Sequence, residues 1–198
     1  MLLSRRSLIG VGAGGAALGA TSVLAPAWAS SLIVSSPASP AAPAVHTRTS
    51  KAVKRLAVLN LHTDERCDVV YRENGVCIDE AAQQLDRVLR DFRTGEVHPI
   101  DRELFDLLAD LHDRVDGNGP FHVISGYRSP KTNAMLNKKS SGVATRSLHM
   151  DGKAIDIRLP GRALTSVRDT ALAMKRGGVG YYARSDFVHV DTGRVRRW

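Results

Sequence analysis

Ser147 to Asp156 reads SLHMDGKAID, which sets an imidazole, His149, and a carboxylate, Asp156, on either side of a glycine. His149 lies in a polar, turn-prone segment, and Gly152 lets the backbone reverse. Ala154 to Leu159 then alternates as a short strand, with Asp156 on one face and Ile155 and Ile157 on the other. A loop residue and a strand residue can therefore converge on one point. A catalytic zinc site takes three protein ligands from His, Asp or Glu and keeps a fourth position for water, so a third ligand is expected downstream. Phe187 to Asp191, FVHVD, offers it: a second strand-like run in which His189 interrupts apolar residues.

S-x-H-x-x-G-x-A-x-D followed by a strand-borne histidine resembles the D-Ala-D-Ala-peptidase and hedgehog-type zinc metallopeptidases. LNLHT at Leu59 to Thr63, GYRS at Gly126 to Ser129, GGVGYY at Gly177 to Tyr182, FVHVDTG at Phe187 to Gly193 and Trp198 extend the likeness to the murein endopeptidases of that family, over residues 55 to 198. The resemblance implies an α+β fold, with a small central antiparallel sheet, helices packed on it and one Zn2+ in a cleft at its face. It implies a peptidoglycan substrate and hydrolysis of the peptide cross-links between glycan strands. Arg128 occupies the position of an arginine that contacts the substrate carbonyl or carboxylate, with Tyr127 and Ser147 as neighbouring substrate-binding residues. The alternatives are a D,D-carboxypeptidase, or a wall-binding protein that keeps the zinc and has lost the reaction.

The chemistry also needs a carboxylate to take a proton from water and pass it to the leaving amine. Asp186 stands three residues before His189, where the family's catalytic acid often stands, and Asp191 stands two residues after it. Strand periodicity puts Asp191 on the same face as His189 and favours it as the base; the other carboxylate could orient His189. No phosphate-binding glycine loop, heptad series or G-x-S-x-G elbow appears, and neither cysteine has the setting of a nucleophile.

The 198 residues carry a net charge of +8, which suits an anionic polymer. The basic residues are scattered among acids without an aromatic-interleaved stripe, so no nucleic-acid partner is expected. Arg5 and Arg6, a Gly/Ala-rich stretch and Ala27-Trp28-Ala29 read as a twin-arginine-type export signal over 1–29, which predicts a periplasmic protein. That stretch is too weakly apolar for a stable membrane anchor. Residues 30–52 are a Ser/Pro/Ala-rich flexible leader containing His46, and 53–198 form one zinc peptidase domain. A monomer is expected of a hydrolase that works within a mesh.

Within the domain, Arg55 to Leu61 and Cys67 to Tyr71 predict a hairpin. Cys67 and Cys77, an even pair in an exported chain, predict a disulfide. Asp79 and Asp101 read as N-caps of two helices, the first with Ala81, Leu85, Val88, Leu89 and Phe92 on one stripe. Phe121 to Ser125 predicts a buried strand, Pro130 to Asn137 a short helix, and Lys138 to Arg146 a polar loop bordering the cleft. Thr165 to Arg176 predicts a last helix ended by Gly177-Gly178, and Val179 to Tyr182 pairs with Phe187 to Val190. His98, His112 and His122 are expected to play no part in the site.

Overall fold

A computed structural model of the chain describes residues 53–139 and 144–198. The expected signal, the leader with His46 and the middle of the expected polar loop lie outside the described residues. β1 (Val53–Asn60) and β2 (Arg66–Glu73) form the antiparallel hairpin their alternation predicts, and β3 (Val76–Cys77) extends it. There follow α1 (Asp79–Val88), α2 (Arg102–Arg114), β4 (Phe121–Ser125), α3 (Pro130–Lys139) and a 3-10 turn at Leu148–Asp151. β5 (Ala154–Arg158), α4 (Leu164–Met174), β6 (Gly178–Tyr182), β7 (Phe187–Asp191) and β8 (Arg196–Arg197) complete the order.

The class is α+β, but the sheet is neither small nor purely antiparallel. It has eight strands in the order β3-β2-β1-β4-β5-β7-β6-β8, and β4 lies parallel to β1, as β8 does to β6. Two helices separate the β1–β2 hairpin from β4, and that length lets the chain return and run the same way as β1. β8 is two residues long, too short to leave a periodic signal.

Register sorts the side chains onto two faces. Val58 stands opposite Phe121, Val123 opposite Ile157, Ile157 opposite Val188, and Ile155 opposite Val190. This apolar set is buried with Leu85, Leu89, Leu104, Leu108 and Leu111 of the helical layer in one hydrophobic cluster. The intervening set turns to the opposite face. There Ser125, Asp156, His189 and Gly180 stand in a row across β4, β5, β7 and β6. A bulge in β4 between Val123 and Ser125 keeps Ser125 in that row while Val123 stays with the core.

Helix ends follow the sequence in part. The Asp101 side chain caps α2 by accepting from the Glu103 amide. Asp79 is instead the first residue of α1; Ile78 holds the cap position with no side-chain bond, and Asp79 and Glu80 complement the positive end of the helix. α4 ends on Lys175 in the left-handed region (φ 52), not on the glycine pair.

Cys67 and Cys77 are free thiols, contrary to the expected disulfide. Cys77 pairs with Arg72, five residues along β2 from Cys67. That is about 16 Å of strand, beyond disulfide reach. Among the described residues no helix is long and apolar enough to cross a membrane.

Gly177 serves close packing: a Cβ there would collide with the backbone carbonyl of Asp191. Because backbone cannot swing aside, Gly177→Ala is expected to lower stability by about 2 to 3 kcal/mol in urea unfolding. An unchanged midpoint would mean that the end of β7 yields freely.

Candidate metal centre

Three elements deliver the three side chains. His149 belongs to the 3-10 turn, which Gly152 closes in the left-handed region (φ 64). Its Nδ1 donates to the Gly126 carbonyl at 2.8 Å, so its Nε2 carries a lone pair. Asp156 of β5 and His189 of β7 are cross-strand partners. His189 Nε2 lies 3.0 Å from Asp191 Oδ2, which fixes that nitrogen as a donor and turns Nδ1 inward. His189 Nδ1 is 2.9 Å from Asp156 Oδ1 and 3.2 Å from His149 Nε2, and His149 Nε2 is 3.3 Å from Asp156 Oδ1. The three residues are buried, with one ligand atom from each within 4.8 Å of the others.

This donor set fits a divalent cation. Two imidazole nitrogens with their other ring nitrogens committed, and one carboxylate, converge where nothing but a proton or a cation could relieve their mutual repulsion. The electrostatics agree. Burial pushes the Asp156 carboxyl up, but the charges and hydrogen bonds of His149 and His189 outweigh it and hold the group well below the usual carboxylate range. Burial likewise pulls His189 down, and Asp156 and Asp191 more than reverse it.

Asp191 is fully buried behind His189. It also accepts from the Gly178 and Gly193 amides at 3.0 and 2.8 Å and from both Arg196 Nη atoms at 3.0 and 2.7 Å. Burial raises its pKa, and these bonds, led by His189 and Arg196, more than compensate and hold it ionised. Asp186 lies elsewhere: it takes the left-handed region (φ 54) at the end of a 3-10 turn and pairs with Arg158 at 2.7 Å. It lies outside β7, and even in an unbroken strand a residue three positions from His189 would face the other way. Neither expected base lines the cleft, whose acidic lining among the described residues is Asp156 alone.

The cleft encloses about 470 Å3, with Arg128, Ser147, Tyr182, Phe187, Arg196 and Trp198 around the three ligands. Arg128 is bonded only loosely, to Ser125 Oγ at 3.3 Å and Asn133 Oδ1 at 3.4 Å, and stands 3.7 Å from Asp156. Tyr127 does not reach the cleft. In this extended run it points away from Arg128, stacks on His98 with centroids 4.6 Å apart, and donates to Glu96 at 2.7 Å. Burial and then Glu96 push its phenol up to about 12. A larger cavity, about 510 Å3, lies between β1 and α2 and includes His112, but it gathers no metal-ligand set among the described residues.

Comparison with known proteins gives the family. The profile of the peptidoglycan L,D-endopeptidase MepK family matches residues 48–198. The chain belongs to that family. It is 39% identical over 195 residues to the peptidoglycan L,D-endopeptidase MepK of Escherichia coli strain K12, covering 98% of this chain and 97% of the relative. The Shigella flexneri protein of the same name gives the same figures. A probable peptidoglycan L,D-endopeptidase MepK of Haemophilus influenzae is 41% identical over 144 residues, 72% of this chain and 77% of that one. The family is of the zinc D-Ala-D-Ala-peptidase type.

Two supports escaped the sequence reading. Asn133 donates to the Ala144 and Thr145 carbonyls while accepting from Arg128, so α3 ties the described end of the polar loop to the arginine. Asp91, after α1, accepts from the Ser129 amide at 2.9 Å, Ser129 Oγ at 2.6 Å and the Arg93 amide at 2.9 Å, and so pins the residue that follows Arg128. Its signal was available only as an acid in a polar turn, which is ordinarily solvated.

Asp91 also makes stability depend on pH. Burial raises its pKa, and the bonds from Ser129, Thr132 and Arg93 outweigh this and bring it down from 3.8 to about 2. A lowered folded-state value stabilises above the unfolded pKa, and the benefit fades as pH falls through the folded one. It amounts to about 2 kcal/mol. In urea unfolding between pH 5 and pH 2, Asp91→Asn is expected to be less stable at the upper end and to lose about that much less on acidification. Parallel pH profiles for the two proteins would assign the acid sensitivity to other groups.

Proposed function

We propose that this protein is a zinc-dependent peptidoglycan endopeptidase that hydrolyses peptide cross-links of the murein sacculus. The observation that carries the reading is the convergence of His149 Nε2, Asp156 Oδ1 and His189 Nδ1 at the floor of an arginine- and aromatic-lined cleft. The relatives are named for L,D bonds. The bond proposed is therefore the one between an L and a D centre, as in a 3,3 cross-link, not the D,D bond of a 4,3 cross-link. The basic signal-like start of the sequence and the net positive charge support export to the periplasm and attraction to an anionic wall.

In this reading His149, Asp156 and His189 hold the metal. Bound zinc supplies Lewis acidity, polarising the scissile carbonyl and lowering the pKa of water. The protein's residues set the geometry. Gly126 and Asp191 fix the two imidazole tautomers, so the ligand atoms need not reorganise. Arg128, with long bonds to its neighbours and a permanent charge, is free to take a substrate carbonyl or carboxylate oxygen. Ser147 edges the same cleft and offers a further polar contact.

One observation favours a second reading. With Asp191 committed to His189 and Asp186 to Arg158, no second carboxylate among the described residues faces the cleft, as a wall-binding protein without the reaction would also have it. A single experiment separates the two. Purified protein is incubated with cross-linked peptidoglycan, with zinc or with chelator, and the muropeptides are weighed by mass spectrometry. Chelator-sensitive loss of dimers is expected, with His149→Ala slower by about 1,000-fold. Dimers that persist while zinc is bound stoichiometrically would leave the binding protein as the reading. Asp191→Asn is expected to lower zinc affinity by about 10- to 100-fold in chelator competition. An affinity within twofold of the unaltered protein would deny Asp191 its orienting role.

A further inference from the structure

The endopeptidase reading gives the Tyr182 hydroxyl of the cleft no role. Tyr182 stands opposite Phe187 on β6, two residues beyond Gly180, which stands opposite His189. Strand period therefore puts Tyr182 on the ligand-bearing face. Its ring stacks on Phe187 with centroids 4.5 Å apart and planes 20° apart. Its oxygen accepts from Trp198 Nε1 at 2.7 Å, and an indole can only donate.

Trp198 is itself held firmly. Its backbone bonds to Val179 and Tyr181 of β6, its ring lies 5.1 Å from that of His189, and the Arg196 guanidinium covers it at 4.8 Å. The phenol oxygen is thus fixed on the rim of the metal centre with its acceptor side occupied. Its own proton has no acceptor among the described residues. Tyr182 lines the cleft with His149, Asp156, His189 and Arg128.

Attack of water on a peptide carbonyl places negative charge on the carbonyl oxygen, and a fixed donor aimed at that position stabilises the transition state more than the ground state. Resting on the endopeptidase reading, we propose that the Tyr182 hydroxyl is a catalytic hydrogen-bond donor to this developing oxyanion, and that Trp198 is the positioning residue that fixes it. The phenol keeps its proton throughout, so no bond is made or broken at Tyr182. A preset donor on one side of the cleft complements the Arg128 guanidinium in the same lining.

The test compares the unaltered protein, Tyr182→Phe and Trp198→Phe, all zinc-loaded, on a purified 3,3-cross-linked muropeptide dimer. Tyr182→Phe keeps the ring and its stacking on Phe187. It is expected to lower kcat about 100-fold with KM within about threefold, and to weaken a phosphinate analogue of the scissile bond by a similar factor. Trp198→Phe should lower kcat about 5- to 10-fold, as expected for a residue acting through Tyr182. In the zinc-free protein, the Trp198 indole N–H proton resonance should move upfield in Tyr182→Phe, which reports the hydrogen bond independently of activity. A kcat for Tyr182→Phe within threefold of the unaltered enzyme, or a rise in KM alone, overturns this proposal and leaves the endopeptidase reading intact. An unaltered protein that leaves the dimer whole overturns both.

Discussion

A slip of one residue between β5 and β7 would send Asp156 and His189 to opposite faces of the sheet, and the candidate metal centre would not form. The register that prevents it is set by the other face. Ile155 opposite Val190 and Ile157 opposite Val188 are buried in the core, so a slip would turn two large apolar side chains of the slipped strand out of it and bury polar ones. At roughly 1.5 to 3 kcal/mol for each such side chain, the core holds the register before any ligand is engaged. Hydrophobic burial on one side of the sheet thus positions chemistry on the other.

Within that frame, the buried charges are satisfied in a particular order. Asp191 would be costly in a dry interior, yet it receives two backbone amides, a bidentate arginine and an imidazole. Those donors come from the start of β6, the turn after β7 and β8. The carboxylate therefore gathers three segments around His189 while fixing its tautomer. Asp91 plays the same part for the Arg128 loop, drawing the end of α1 to the start of α3 through Ser129. Two buried acids, each surrounded by donors, hold the two sides of the cleft.

The difference between these acids and the ones the sequence pointed to explains how far sequence alone could reach. His149, Asp156 and His189 were legible because a glycine turn and period-two strands are local features, and the ligand chemistry narrows the residue types. Asp191 was legible as a neighbour of His189, since strand period fixes the face. Its exact task was not, because the amides of Gly178 and Gly193 and the Arg196 side chain reach it through tertiary contacts. Asp186 was offered on the family's spacing alone, and the left-handed turn before β7 turns its carboxylate to Arg158. Tyr127 was assigned to the cleft by adjacency to Arg128, although adjacent residues in an extended run point to opposite sides. The full sheet was underestimated for a similar reason: the β1–β4 pairing joins segments about sixty residues apart, and nothing local announces it.

The cleft is assembled from parts of different stiffness. The ligands Asp156 and His189 sit on central strands with partners on both sides, and His149 is tied back to Gly126. The groups that would meet a substrate are set around that floor: Arg128 on a loop, Ser147 ahead of the 3-10 turn, and Tyr182 at the end of β6. A metal site gains from rigidity because its ligands must keep their distances, whereas a polymeric, cross-linked substrate demands some accommodation at the rim. Trp198 bridges the two regimes. It is hydrogen-bonded through its backbone to the sheet edge, yet its half-exposed indole reaches over Gly180, where a side chain would collide with it, to contact His189 and Tyr182. The glycine in that row is therefore as much a requirement of the candidate site as Asp156 and His189 beside it. Without that gap the indole could not lie against the sheet, and the wall of the cleft on the His189 side would have no fixed position.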